Sequence, residues 1–416
     1  MSDYDVVIVG GGLGGSALGG YLANAGREVL VLERLTEFSD RVRGEWMACW
    51  GVVELKKLGL YERFMAAGGH HLGRNIPYDE LLTVDQSEAA ATTFADLHPD
   101  VPGPLCMEHV VMQNEAIAWA AQSGAEVLRG VSGVAVTAGA SPRVRYTHEG
   151  VEHDVGCRWI VGADGRGSSV RRQLEIPINE APLDHLIAGL LVDGADDWPE
   201  DLQCIGKFGD LHYLVFPQGG GKLRLYADYA YHGSARFSGP DGASEMLAAF
   251  DLPGVPHSKA VANARPIGPC RSYPSQDAWV EEPCVDGAVL IGDAAGYNDP
   301  ILGQGLSVTL RDAYSVGTVL AAEPPYRPEG FADYVGERRE RLRRLRFTAS
   351  FITTLYARFG PEDVERRADA FRRMGADPSL AVMPLAAFLG PEAVPAECFT
   401  PGFYERAFGT TEHMVG

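Results

Sequence analysis

Apolar positions in this chain follow three patterns. The first is the short continuous run. Tyr4 to Val9 is apolar, Gly10-Gly11-Gly12-Leu13-Gly14-Gly15 follows, an Ala/Leu-rich stretch covers Ser16 to Ala25, and Val29 to Leu32 ends on Glu33. Apolar runs of this length, bounded by glycine, predict buried strands flanking a helix. Similar signals return twice. Trp159 leads into Gly162-Ala163-Asp164-Gly165 before a serine-capped helix start at Ser168 or Ser169, and a strand from Ala288 to Ile291 delivers Gly292-Asp293 ahead of a helix from about Leu306.

The second pattern is alternation. Leu211 to Pro217 and Leu223 to Tyr229 flank the turn Gln218-Gly219-Gly220-Gly221-Lys222, which predicts a hairpin. A period of two puts His212 and Tyr213 on opposite faces and Arg224 and Tyr226 on the same face. Ile76 to Pro104 is expected to add strands to that sheet, with a return helix from Asn114 to Gln122 and a strand near Glu126 to Leu128. The third pattern is helical. Beyond the break at Pro324-Pro325-Tyr326-Arg327-Pro328, a long helix carries an arginine-rich stretch from Arg338 to Arg346. It reads as a solvated face whose arginine stems cover apolar surface. The tail has helical spacing between Pro/Gly breaks and reads as a helical cap.

The first motif carries chemistry. Gly10, Gly12 and Gly15 form G-x-G-x-x-G between a strand and a helix, and Glu33 closes the second strand. Gly10 permits a tight turn, Gly12 lets backbone approach a pyrophosphate, and Gly15 lets helix and strand pack closely. The helix N-terminus offers N–H groups and a positive dipole end, and Glu33 can accept hydrogen bonds from a ribose. A glycine-rich turn that binds nothing is the bland alternative, and the strand, helix and acidic residue in sequence argue against it. The motif does not separate FAD from NAD.

The two later motifs do. With the first, they resemble the single-component FAD-dependent aromatic hydroxylases typified by para-hydroxybenzoate hydroxylase, a family with a dinucleotide fingerprint, a D-G motif and a G-D motif in this order. Asp164 and Gly165 match the second motif, Gly292 and Asp293 the third, and Pro300, Gly303, Gly305, Leu306 and Ser307 the loop beneath the flavin. Arg43 falls where the family has an arginine near the flavin, and Gln113 where it contacts the FAD linker. Leu13, Gly14 and Arg34 complete the expected cofactor set. Ser307 departs from the typifying hydroxylase, which has an asparagine there.

The resemblance implies an α/β fold: a discontinuous Rossmann-like FAD-binding domain (1–75, 105–177 and 281–345), a mixed β-sheet substrate domain (76–104 and 178–280) and a C-terminal helical segment (346–416). It implies FAD as cofactor, NADPH or NADH as transient reductant, and O2 and an apolar or aromatic small molecule as substrates. The product is hydroxylated or epoxidised through a flavin C4a-hydroperoxide. No obligatory acid–base pair is expected. Candidates for substrate contact or proton relay are His70, His71, His212, Tyr213, Arg224, Tyr226, Asp299 and Pro300, with capping or sheet packing as their plain alternative.

Composition narrows the rest. A formal net charge of −20 disfavours nucleic acid as a partner. No run of 18 apolar residues predicts a membrane span, the N-terminus lacks a signal-peptide pattern, and seven cysteines without C-x-x-C pairing suggest a reduced, cytoplasmic protein. Hydrolase and metal motifs are missing. A halogenase of this fold would carry W-x-W-x-I-P, which is not found. A related reductase would carry Y-x-W-x-F-P, to which Tyr213 to Pro217 is a partial match without the tryptophan. A non-catalytic FAD-binding protein is the alternative from another class. Nothing in the sequence fixes an oligomeric state.

Overall fold

The computed structural model describes residues 3–42 and 44–414. Its first sheet is built on five parallel strands in the order Ala288–Leu290, Val151–Gly162, Tyr4–Val9, Val29–Glu33 and Glu126–Arg129. Val6, Val7 and Ile8 have no solvent exposure, because helices cover one face and a small meander covers the other. The strand Val151–Gly162 changes character along its length. Its first half alternates in burial and pairs antiparallel with Arg143–His148, whereas its apolar second half is buried between parallel neighbours. The fingerprint helix, Leu13–Asn24, packs against the helix His109–Gln122, which starts five residues before the expected Asn114.

The second sheet is mostly antiparallel and centres on His185–Asp193, Leu202–Phe208 and the hairpin Leu211–Gly219/Lys222–Ala230. Gly219, Gly220 and Gly221 all take positive φ, so an L side chain would strain each position of the turn. One face of the sheet (Leu190, Tyr213, Val215, Leu225, Ala227) builds its own core beneath two short helices. The opposite face carries His212, Leu214, Phe216 and Tyr226 toward the first sheet and the C-terminal helices. The 76–104 region gives this sheet little strand. Arg74–Ile76 and Thr92–Thr93 lie at its edge, and between them Thr83 and Gln86 form a capping box that starts the helix Val84–Ala89.

The arginine-rich stretch corrects its sequence reading. It lies in the 25-residue helix Ala332–Tyr356, and Arg338, Arg341 and Arg346 are buried rather than solvated. Asp312 and the Ala295 carbonyl from distant segments, with Glu337 one turn away, compensate the first two. After this helix, Pro361–Ala376, Met383–Leu389 and Pro401–Phe408 pack around Phe347, Phe351 and Tyr404 as a C-terminal cap. Among the described residues no helix is long and apolar enough to cross a membrane.

Candidate functional site

The end of the first sheet opens into one cavity of about 1450 Å³, which continues under the second sheet to the cap. A single small-molecule site occupies roughly 300–1,000 Å³. The cavity therefore has room for a dinucleotide and a second molecule together.

Backbone builds the dinucleotide side. Gly10 has φ +111°, and a Cβ there would lie 2.3 Å from the Ala163 carbonyl oxygen. A Cβ on Gly15 would lie 1.9 Å from the Gly10 carbonyl oxygen, and one on Gly14 2.5 Å from Thr309. The turn is thus clamped between the D-G and flavin-loop segments. A Cβ on Gly12 would meet only Gln113 Nε2, at 3.9 Å, so bare backbone faces the cavity there. The helix's first bond runs from the Ser16 N–H to the Gly12 carbonyl, leaving the N–H groups of Leu13, Gly14 and Gly15 ahead of it. Glu33 accepts from the Gly11 and Leu35 N–H groups, both at 2.8 Å, and lines the cavity with Arg34.

Asp164 turns its carboxylate inward. It accepts from the Ser168 hydroxyl, the Ser169 N–H and hydroxyl, and the Val170 N–H, fixing a helix start at Ser169 with Ser168 as its cap. Gly165 then lines the cavity beside Arg166, whose guanidinium lies 3.4 Å from Asp293 and over the Tyr297 ring. Asp293 and Gly292 line the cavity at the end of the Ala288–Leu290 strand. Behind Gly292, the buried Asp312 accepts from the Gly292 N–H, Arg338 and Arg341, while Arg338 also donates to the Gly292, Ala295 and Gly296 carbonyls. Burial alone would raise the Asp312 pKa, but the two guanidiniums outweigh it and hold the group ionised, below the ordinary value.

The flavin loop is fixed from both sides. Gly303 takes φ +68° against Trp46, and Gln304 accepts from the Trp50 indole while donating to the Ala387 carbonyl of the cap. Gly305 opens the helix Gly305–Leu320, and its Cβ position meets nothing within 4 Å. That helix's first bond comes from the Val308 N–H, so the N–H groups of Gly305, Leu306 and Ser307 precede it. Pro300, Gly303, Gly305 and Leu306 line the cavity. The Ser307 side chain does not. It is buried against Gly51, where a Cβ would approach its Oγ to 2.2 Å. Arg43 lies outside the described residues.

The far wall is apolar and aromatic: Trp46, Ile205, Leu214, Phe216, Tyr226 and Phe388, with His212 and Tyr356 beside them. The Tyr226 hydroxyl donates to Glu45, and burial together with that charge keeps the phenol protonated well above its ordinary pKa. Several candidates stand elsewhere. His70 hydrogen-bonds the Glu200 carbonyl, and His71 is held by Tyr61 and the Gly103 carbonyl; neither lines the cavity. Tyr213 faces the opposite core and donates to the Tyr78 carbonyl. Arg224 shares the face of Tyr226 but is consumed by Glu45 and Asp40. Asp299 points inward and accepts the Ile301 N–H; beside Asp277, burial pushes its pKa up to about 7.

Sequence reasoning missed Glu45, Trp46, His109, Tyr356 and Phe388 on the cavity wall and Asp312 behind it. Asp312 offered one signal, an acidic residue seven positions into a helix that follows the G-D motif. The others had none, because the segments that carry them reach the cavity only through tertiary packing.

A family model described as FAD binding domain matches residues 3–218. A rifampicin monooxygenase of Streptomyces venezuelae is 26% identical over 382 residues, covering 87% of this chain and 74% of that protein. A digeranylgeranylglycerophospholipid reductase 2 of Methanopyrus kandleri is 28% identical over 326 residues, covering 77% of each. The fold matches that of an aklavinone-11 hydroxylase solved with FAD and aklavinone, with a TM-score of 0.70 and 18% identity, covering 86% of this chain and 70% of that one.

Proposed function

The chain belongs to the FAD binding domain family, and from that premise we propose that it is an FAD-dependent monooxygenase, using NAD(P)H and O2 to oxygenate an apolar aromatic small molecule. The observation that carries the reading is the continuity of the cavity, from the glycine-lined dinucleotide crevice to the aromatic wall. The residues fit FAD: bare backbone at Gly12 and Gly305, the carboxylates of Glu33 and Asp293, and Gln113 line the crevice side. When bound, FAD supplies the reduction by NAD(P)H and the activation of O2 that place one oxygen atom on the substrate.

This chain's own residues position and shield. The N–H groups at the start of the Gly305–Leu320 helix would favour negative charge on a flavin ring held in the cavity beside them. Gln304, held by Trp50 and Ala387, keeps that helix start in register with the cap. Leu214, Phe216 and Phe388 exclude water from the oxygen-transfer space. The relatives named as a monooxygenase and as a hydroxylase support oxygenation. The similarity to a reductase supports a second reading, reduction of an isoprenoid-like substrate, which the test separates.

The holoenzyme is incubated with NADPH, isotopically heavy O2 and a series of polycyclic phenols. Product carrying one heavy oxygen atom is expected. NADPH consumption that yields only hydrogen peroxide or reduced substrate with every compound contradicts the proposal.

A further inference from the structure

A chain of side-chain hydrogen bonds ends on the cavity wall. Arg74–Ile76 pairs parallel with the start of Leu202–Phe208, and the register sets Asn75 beside Gln203. Alternation puts both on the face that carries Ile205 to the cavity, while Ile76 and Cys204 enter the sheet's own core. The Trp46 indole donates to Gln203 Oε1 at 2.7 Å, and Gln203 Nε2 donates to Asn75 Oδ1 at 3.1 Å. Gln203 has no solvent exposure, and Asn75 is 8% exposed.

The chain runs in one direction only. An indole N–H donates and cannot accept. It therefore fixes which end of the Gln203 amide is oxygen, and the Gln203 NH2 in turn fixes the Asn75 amide. Asn75 lines the cavity with its oxygen committed to Gln203, and its Nδ2 makes no hydrogen bond among the described residues. The wall thus presents a donor whose orientation is set two residues behind it.

We propose that Asn75 is a specificity-determining residue whose Nδ2 donates to an acceptor oxygen of the substrate, the carbonyl of a neutral aromatic ketone or quinone. Gln203 and Trp46 are its positioning residues. The proposal rests on the monooxygenase reading and adds one acceptor to its aromatic substrate. The indole also sets where that acceptor lies. Its benzo edge meets Gly303 of the flavin loop, where a Cβ would lie 2.9 Å away, and its N–H edge, across the ring, meets Gln203. Asn75 therefore holds the end of the substrate remote from the flavin loop, and a remote contact orients the reacting end.

Charge argues for a neutral oxygen. Thr92 is the register partner of Asn75 on its other side, and it lines the cavity with Pro77 and Ala90. None of these carries a charge, and Arg74, next in the strand, is paired with Asp201 at 3.0 Å. A carboxylate would leave water without a counter-ion beside Asn75, whereas a carbonyl needs only the N–H.

The test compares three planar tricycles of nearly one shape: fluorene, 9-fluorenone with one acceptor oxygen, and carbazole with one donor N–H. Each is offered to oxidised, FAD-loaded protein without NADPH, and binding is read by equilibrium dialysis. The unmodified protein is expected to bind fluorenone about tenfold tighter than carbazole or fluorene. Asn75→Asp keeps the shape and the acceptor for Gln203 and replaces the donor with an oxygen. Gln203→Glu leaves Asn75 in place but gives it a carboxylate to donate to, so the amide turns over and presents its oxygen. Each variant is expected to bind carbazole about tenfold tighter than fluorenone, with fluorene within about threefold of the unmodified protein. An asparagine that only ties two strands together would not reverse the preference. If Asn75→Asp loses FAD, Gln203→Glu carries the comparison. The absence of a fluorenone preference in the unmodified protein, a preference that survives in Gln203→Glu, or an equal loss of all three ligands overturns the proposal. Anaerobic reduction by NADPH separates the two levels. Reducible flavin without a fluorenone preference overturns the role of Asn75 alone, whereas the predicted preference and its reversal beside flavin that NADPH cannot reduce sustain that role and remove the monooxygenase reading.

Discussion

Asp312 and Asp228 are both completely buried, yet their pKa values move in opposite directions. Asp312 sits behind the G-D motif between two arginines and a backbone N–H, and its pKa falls. Asp228 sits in the roof hairpin with a neutral imidazole as its hydrogen-bond partner and one unpartnered oxygen, and its pKa rises to about 7. Burial is common to both and partners decide the outcome. The first arrangement fixes a loop. The second leaves a group that exchanges a proton near neutral pH.

The largest expected effect tests the paired side. Arg338→Ala strips Asp312 of one guanidinium and three carbonyls of their donor. It is expected to cost about 3–5 kcal/mol in denaturant unfolding and to release FAD. An unchanged unfolding midpoint with full flavin content would show that the network is not a lock. Next, Asp293→Ala and Glu33→Ala are each expected to weaken FAD binding by about 1.5–3 kcal/mol, read by flavin titration. Unchanged affinity in either variant removes that carboxylate from the cofactor's contacts.

The two aspartates also predict opposite pH behaviour. Asp228 has a raised pKa, so its contribution to stability is complete below the unfolded value near 3.8 and is lost as pH rises through about 7. Relative to Asp228→Asn, the unmodified protein should therefore lose up to a few kcal/mol between pH 4 and pH 8. Asp312 has a lowered pKa, so its contribution is present above the unfolded value and is lost as pH falls through the folded one. Asp312→Asn should thus be most damaging near neutrality and less so in acid. Parallel curves for the two variants would erase the comparison. The smallest effect belongs to His70→Ala, which lies off the cavity. Stability within about 0.5 kcal/mol and unchanged flavin reduction are expected, and a large loss of reduction would place His70 in the site after all.

The legible parts were those fixed by local backbone. Gly10 and Gly303 occupy turns, and Gly15 the start of the fingerprint helix, where a Cβ collides with neighbouring backbone or a tryptophan, and such positions leave a spaced signature in sequence. Alternation correctly separated His212 from Tyr213, but it could not tell which face met the cavity. It grouped Arg224 with Tyr226, yet could not foresee Glu45 and Asp40 capturing the arginine from a loop more than 170 residues away in sequence. The arginines of the long helix looked solvated because their partner Asp312 precedes them by 26 and 29 positions and belongs to another element. Sequence periodicity shows which positions share a face, and long-range pairing decides what that face does.

The most direct test of the account is anaerobic mixing of the purified holoenzyme with NADPH, followed by O2, observed at the visible absorbance of the flavin. The account predicts yellow protein that bleaches with NADPH and regains its colour on mixing with O2. Protein that takes up no FAD, or bound flavin that NADPH cannot bleach, would contradict it.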